Sequence, residues 1–290
     1  MINAQLVKQL REMTGAGMMD CKKALVATDG DVEAAVVWLR ENGILKAQKK
    51  AERIAAEGAC AFVIEGNKAV VYEVNSETDF VARNEKFQAL VNNIGQAILN
   101  SDATNEEEAL TATFNGESVN DLIVNGTATI GEKISLRRVN VLNKTDDQVF
   151  GAYNHMFGKI VVVSVLDGND EELAKDVSMH VAAMNPKYLD ENSVDPAFLE
   201  KEKEILVQET LNEGKPEKIV DRIVAGKIQK FLKGICLVDQ PFVKNPDVTV
   251  GEYVKQNNSK ISSFKRLEVG EGIEKKVDDF AAEVRAAVNG

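Results

Sequence analysis

The chain has 290 residues, enough for about two domains of ordinary size. Hydrophobic residues make up 44% and charged residues 28%, a globular composition able to bury a core. With 46 acidic against 35 basic side chains the formal charge is −11, which argues against a general nucleic-acid binder, because neutralising phosphates needs a basic surface.

Residues 1–53 read as a small helical bundle. Leu6, Leu10 and Met13 recur at helical spacing until Gly15-Ala16-Gly17 breaks the run. Met18, Cys21, Ala24 and Leu25 make a second stripe. Thr28-Asp29-Gly30-Asp31 supplies a stop and an N-cap. Val32, Ala35, Val36 and Leu39 make a third stripe, expected to end at Asn42-Gly43. The charged, Ala-rich stretch from Lys46 to Glu57 reads as a helical linker. Its cluster of Lys46, Lys49, Lys50 and Arg53 is taken as a solvated face rather than a binding patch.

The middle of the chain reads as a duplication. Cys60–Ile64 and Ala69–Val74 are β-rich runs joined across Gly66-Asn67, a pair suited to a two-residue hairpin turn. A helix carrying Phe87, Leu90, Val91, Ile94 and Ile98 follows. Next comes an irregular insertion with breaks at Asn115-Gly116 and Asn125-Gly126, then a strand over Lys133–Leu142. The order repeats: a hairpin over Gln148–Tyr153 and Lys159–Leu166, a helix carrying Leu173, Val177, Val181 and Met184, and a closing strand over Ile261–Val269. Two similar α+β halves are the economical reading. Between the second helix and its closing strand, Pro196–Leu211 and a run to about Lys233 predict two long helices. Joined at Gly214-Lys215-Pro216, they should pack as an antiparallel coiled coil. Lys275–Val288 predicts a final amphipathic helix. The expected fold is therefore α+β, with a partner-binding bundle at 1–53 and core halves at 54–146 and at 147–186 with 236–270. The coiled-coil insertion spans 187–235 and a C-terminal module 271–290.

Little in the sequence points to bond chemistry. Cys21, Cys60 and Cys236 are odd in number, far apart and never in a CxxC pair, which fits a reducing cytoplasm. The N-terminus shows neither a signal-peptide nor a transit-peptide pattern, and the aliphatic run Ile160–Leu166 is too short to span a bilayer. His180 falls near a helical apolar stripe and reads as a packing or hydrogen-bonding residue. His155 falls in the second hairpin's loop, where a contact role is more natural. Gly126 and Gly131 have the spacing of a phosphate loop, but Glu132 stands where the lysine belongs and would repel phosphate. Glu106-Glu107-Glu108 is explained by a helix start rather than by a metal.

Two segments resist a purely structural explanation. In MTGAGMMDCKKAL (13–25), Met19 should lie on a polar face beside Lys22 and Lys23, a soft thioether suited to an adaptable contact. In NSETDFVARNE (75–85), Phe80 and Val81 fall between a strand end and a helix stripe that starts only at Phe87. An aromatic there is either a staple into its own core or an anchor for another protein's pocket.

These two segments, with EVGEGIEKKVDDFAAEV (268–284), closely resemble the bacterial translation elongation factor Ts family, over essentially the whole chain. The first three helices are similar to a ubiquitin-associated-type bundle. The resemblance implies a guanine-nucleotide exchange factor for elongation factor Tu, cytoplasmic, without cofactor, metal, DNA or membrane partner. The coiled coil is a candidate for self-association. By the same resemblance, Thr78, Asp79, Phe80 and Val81 form a wedge beside the GTPase's magnesium and phosphate site. Arg11, Met18 and Met19 form an N-terminal contact, and His155 sits on a second contact from the other core half. Met156-Phe157-Gly158 departs from the Gly-rich turn usual after that histidine. The alternatives are a non-catalytic adaptor built on the bundle and coiled coil, an enzyme with an unrecognised acidic site, and a nucleic-acid binder.

Overall fold

The computed structural model describes residues 3–274. The N-terminal bundle comprises α1 (Ala4–Thr14), α2 (Met18–Ala27) and α3 (Val32–Lys50). Asn3 caps α1 by accepting the Leu6 N–H at 2.8 Å, and Gly15 closes it in the left-handed conformation. Asp31 caps α3 as its sequence position predicts. The small core gathers Val7, Leu10, Cys21, Ala24, Leu25 and Ala35. Met13 and Met18, read as stripe residues, are instead exposed, while Val7 and Ala16 pack in or against this core.

The third helix does not stop at Asn42-Gly43. It runs on to Lys50, and Gly43 is buried inside it, where an added Cβ would make ordinary contact, at 3.4 Å, with Ala128 Cβ of a neighbouring helix. The basic stretch is not simply solvated either. Lys46 pairs with Asp20 at 2.7 Å, Arg53 with Glu77 at 3.3 Å, and Lys50 donates to the Gly131 carbonyl. The expected helical linker is thus helix only as far as Lys50, the end of α3, and Lys50 and Arg53 fasten this stretch to the core.

Strands β1 (Glu57–Glu65) and β2 (Lys68–Ser76) form the first hairpin. Glu65 faces Lys68 across the Gly66-Asn67 turn. One turn of helix, α4 (Asp79–Ala82), leads to α5 (Glu85–Leu99) and α6 (Glu106–Thr111). The small strands β3 (Thr113–Phe114) and β4 (Glu117–Ser118) turn at Asn115-Gly116, and α7 (Val119–Ile130) precedes β5 (Ser135–Asn143). Asn125-Gly126 is not a break: it lies inside α7. A Cβ at Gly126 would stand 2.5 Å from Leu90 Cδ2 of α5, so that side chain would have to shift to admit one. The second half contains β6 (Gln148–His155), β7 (Ile160–Asp167) and α8 (Glu171–Met184). The helical hairpin α9 (Pro196–Asn212) and α10 (Glu217–Ile235) follows, with Phe198 against Phe231 at its open end. Small strands β8 (Pro241–Phe242) and β9 (Asn245–Thr249), helix α11 (Val250–Gln256) and closing strand β10 (Ile261–Glu268) complete it. The strand pair β8–β9 and α11 went unread in the sequence. The helix expected at 275–288 lies outside the described residues.

The two sheets have the same order, β1-β2-β5 and β6-β7-β10, with each hairpin's second strand at the centre. They pack face to face. Cys60, Ala69 and Val71 meet Val161, Val163 and Leu267 between them. Alternate residues of the central strands point the other way, Val70, Tyr72 and Val74 onto α5 and Val162 and Leu166 onto α8. This is why β2 and β7 are buried almost throughout rather than on alternate residues: both of their faces are covered.

One charged group sits inside this arrangement. Glu73, fully buried, accepts from Arg138 Nε at 2.7 Å, from Asn75 Nδ2 at 2.9 Å and from the Gly270 N–H at 2.7 Å. Arg138 also pairs with Glu271 at 2.9 Å. The first sheet is thereby tied to the segment that leaves the second.

His180 is a packing and hydrogen-bonding residue, as its position suggests. It is buried on α8, with Nε2 3.0 Å from Gln240 Oε1, while Nδ1 accepts the Val243 N–H at 3.1 Å. Nδ1 is therefore the unprotonated nitrogen. Burial lowers its pKa from the ordinary 6.5, outweighing the opposing Gln240 hydrogen bond. On acidification the unfolded chain takes up this proton first, so the stabilisation is complete above the ordinary value and declines as pH falls through it. The urea midpoint should drop between about pH 7 and pH 5. His180→Gln, which keeps a donor and an acceptor, should flatten that slope; an unchanged slope would assign the acid sensitivity elsewhere.

Candidate partner-binding surfaces

The turn from β2 into α5 carries the segment singled out from sequence. Thr78 is the N-cap of α4, its hydroxyl accepting the Val81 N–H at 3.4 Å. With four residues in the helix and successive side chains about 100° apart, neighbours diverge. Phe80 points out and is 82% exposed, with Asp79 exposed beside it. Val81, expected to be displayed with Phe80, turns inward and packs half-buried on the first core. Thr78 is half-buried. The displayed pair is thus Asp79 and Phe80, and Thr78 and Val81 hold it. Of the two readings open for the aromatic, a staple into its own core does not match this exposure.

A second surface lies on the bundle. Arg11 of α1 and Met18 and Met19 of α2 are brought together along one groove of about 730 Å³, lined also by Ala4, Val7, Lys8 and Lys22. Met18 is 58% exposed and Met19 63%. The groove pairs soft apolar side chains with cations, the combination that suits an apolar and acidic counterpart.

His155 is not in the hairpin loop itself. It ends β6, exposed and paired in register with Ile160, its Nδ1 3.4 Å from Tyr153 Oη. The loop beyond it holds the residues that sequence reasoning noted only as a departure. Met156 and Phe157 are 67% and 89% exposed, and both have positive φ, 48° and 57°. Gly158 (φ 90°) clamps the turn: its N–H donates to Asn154 Oδ1 at 2.8 Å and its carbonyl accepts the Cys60 N–H at 2.8 Å. Two bulky residues in the left-handed region are unfavourable unless the surroundings impose it. The bulk in a turn position was the one available signal.

Nothing in these surfaces gathers nucleophile, base and acid. The phosphate-loop spacing dissolves, since Gly126 is helical and Gly131 caps α7. All three cysteines are buried and free, and burial raises the thiol pKa of Cys60 above its ordinary value. Among the described residues no helix is long and apolar enough to cross a membrane.

Comparison with known proteins gives the family. A family described as elongation factor TS matches residues 77–271, two thirds of the chain and the span that starts at the displayed turn. The chain belongs to the elongation factor Ts family. A second family, the UBA/TS-N domain, matches residues 2–39, the stretch that holds the methionine groove. An elongation factor Ts of Acholeplasma laidlawii (strain PG-8A) is 53% identical over 99% of this chain and 99% of its own length. The bundle, the paired α+β halves and the helical hairpin are thus the elongation factor Ts architecture as this chain folds it.

Proposed function

We propose that this protein is the guanine-nucleotide exchange factor of elongation factor Tu in the cytoplasm, and that it works by shape and binding energy without bond chemistry. Family membership supports the activity, and the 82% exposed Phe80 on its anchored turn supports the means. The factor binds the nucleotide-free GTPase more tightly than the loaded one. By linkage, GDP weakens the factor by the same ratio that the factor weakens GDP. Each ~1.4 kcal/mol of this antagonism is worth about tenfold in the equilibrium. Phe80 inserts between elements bordering the phosphate site, and Asp79 disturbs the groups that hold magnesium and phosphate. Arg11, Met18 and Met19 dock the bundle on the same partner, while His155 and its loop contact a different domain. Those contacts offset the cost of the distortion.

The test is release of a fluorescent GDP analogue from elongation factor Tu, with and without the protein. Strong acceleration is expected. A stable complex with no acceleration would support the adaptor reading instead.

A further inference from the structure

The geometry points to Glu132 as the positioning residue of the wedge, a role that rests on the exchange reading above. Glu132 follows Gly131, whose left-handed backbone (φ 94°) ends α7 and turns the chain back toward the displayed turn. Its carboxylate is fully engaged there. Oε2 accepts the N–H groups of Glu77 at 3.0 Å and Thr78 at 2.9 Å, and Oε1 accepts the Thr78 hydroxyl at 2.7 Å. Bonds to a carboxylate are among the stronger hydrogen bonds. The Thr78 hydroxyl relays the constraint, donating to Glu132 and accepting the Val81 N–H of α4.

The brace is reciprocal. Glu77 Oε1 accepts the Lys133 N–H at 2.6 Å, and its carboxylate also pairs with Arg53. Lys133 Nζ in turn donates to the carbonyls of Ala51 at 2.7 Å and Arg53 at 2.9 Å. The root of the wedge is therefore bolted to the end of α7 and to the stretch that leaves the bundle.

A helix of one turn cannot hold its own direction, since nucleation fixes several residues for a single hydrogen bond. An aromatic mounted on it transmits force to a partner only if its base does not yield. Glu132 supplies that stiffness, in the way that residues supporting a site keep it within a fraction of an ångström of its working geometry. The glutamate that spoils the phosphate-loop pattern is thus the residue that aims Phe80.

The experiment measures GDP-analogue release from elongation factor Tu across a concentration series of full-length Glu132→Ala, Glu132→Gln, Phe80→Ala and Phe80→Ala/Glu132→Ala. Glu132→Ala should lower the release rate at saturation by about tenfold and leave the half-saturating concentration within about twofold. Glu132→Gln should restore most of the rate, because one amide oxygen can accept both N–H groups while the NH₂ donates to Thr78. The double variant should be no slower than Phe80→Ala, since Glu132 acts through the ring. A wild-type rate for Glu132→Ala, or additive losses in the double variant, would overturn the brace while a slow Phe80→Ala keeps the wedge. A wild-type rate for Phe80→Ala would instead overturn the wedge and the brace together and leave exchange standing, whereas no acceleration by the unsubstituted protein would overturn the exchange reading. Should Glu132→Ala fail to fold, Thr78→Val, which removes only the hydroxyl relay, is read in the same way.

Discussion

Replacing Phe80 by alanine should slow catalysed GDP release from elongation factor Tu on the order of 10²-fold, the loss typical of removing an interface anchor worth about 2–4 kcal/mol. The ring is 82% exposed in the free protein, so its removal leaves no cavity in this chain and should leave the unfolding midpoint unchanged. Affinity for the GDP-loaded partner should hardly change, because the proposed docking by the methionine groove and the His155 loop does not need the wedge. The loss should fall on the nucleotide-free complex, the state in which the ring is inserted. Stopped-flow release and equilibrium binding to both nucleotide states separate the two effects. Equal weakening of both states would make Phe80 an ordinary contact.

Glu73→Ala should be the most destabilising single change, by about 3–5 kcal/mol in urea or guanidinium unfolding. Glu73 is fully buried, and its removal strands Arg138, whose side chain is 21% exposed and keeps only Glu271 and the Glu268 carbonyl. Arg137 Nε, at 3.5 Å, and the Gly270 N–H lose the same acceptor. The penalty is that of leaving buried charge and donors unpaired, not the net worth of the pair. Glu73→Gln, which keeps one acceptor oxygen, should cost less. A loss below about 1 kcal/mol for the alanine variant would mean that water reaches Arg138 freely. Because the cluster joins β2 and β5 to the segment after β10, the variant should also loosen one sheet against the other, seen as faster amide exchange in both.

The parts of the fold that local pattern controls are legible in the sequence. The Gly66-Asn67 turn, the Asp31 cap and the apolar stripe from Phe87 to Ile98 each rest on short-range chemistry, and each stands where the sequence puts it. The repeat was readable because two covered central strands demand two long apolar runs. Glycine misled twice. Gly43 and Gly126 read as breaks, yet both lie inside helices, each against a neighbouring helix. Such a contact involves residues about 85 positions apart in one case, which no local window contains. The basic residues around Lys50 misled for the same reason, since their partners Gly131 and Glu77 arrive from elsewhere in the chain.

The candidate surfaces were legible to differing degrees. Arg11, Met18 and Met19 share one groove, although Met18 was assigned to the buried side by spacing. Val81 illustrates what a connector reading misses: one helical turn is enough to send adjacent residues to opposite sides. Phe157 carried no periodic signal, and its display depends on three successive positive-φ residues that only the folded turn reveals. Glu132 was noticed for the lysine it replaces, while its three hydrogen bonds reach residues more than fifty positions earlier.

The most direct test places a photo-crosslinking amino acid at position 80 in the nucleotide-free complex and maps the crosslinked peptides by mass spectrometry. The account predicts adducts with segments of elongation factor Tu that border its magnesium and phosphate site, suppressed when excess GDP is added. Adducts confined to this chain, or to a domain of the partner remote from the nucleotide, would contradict it.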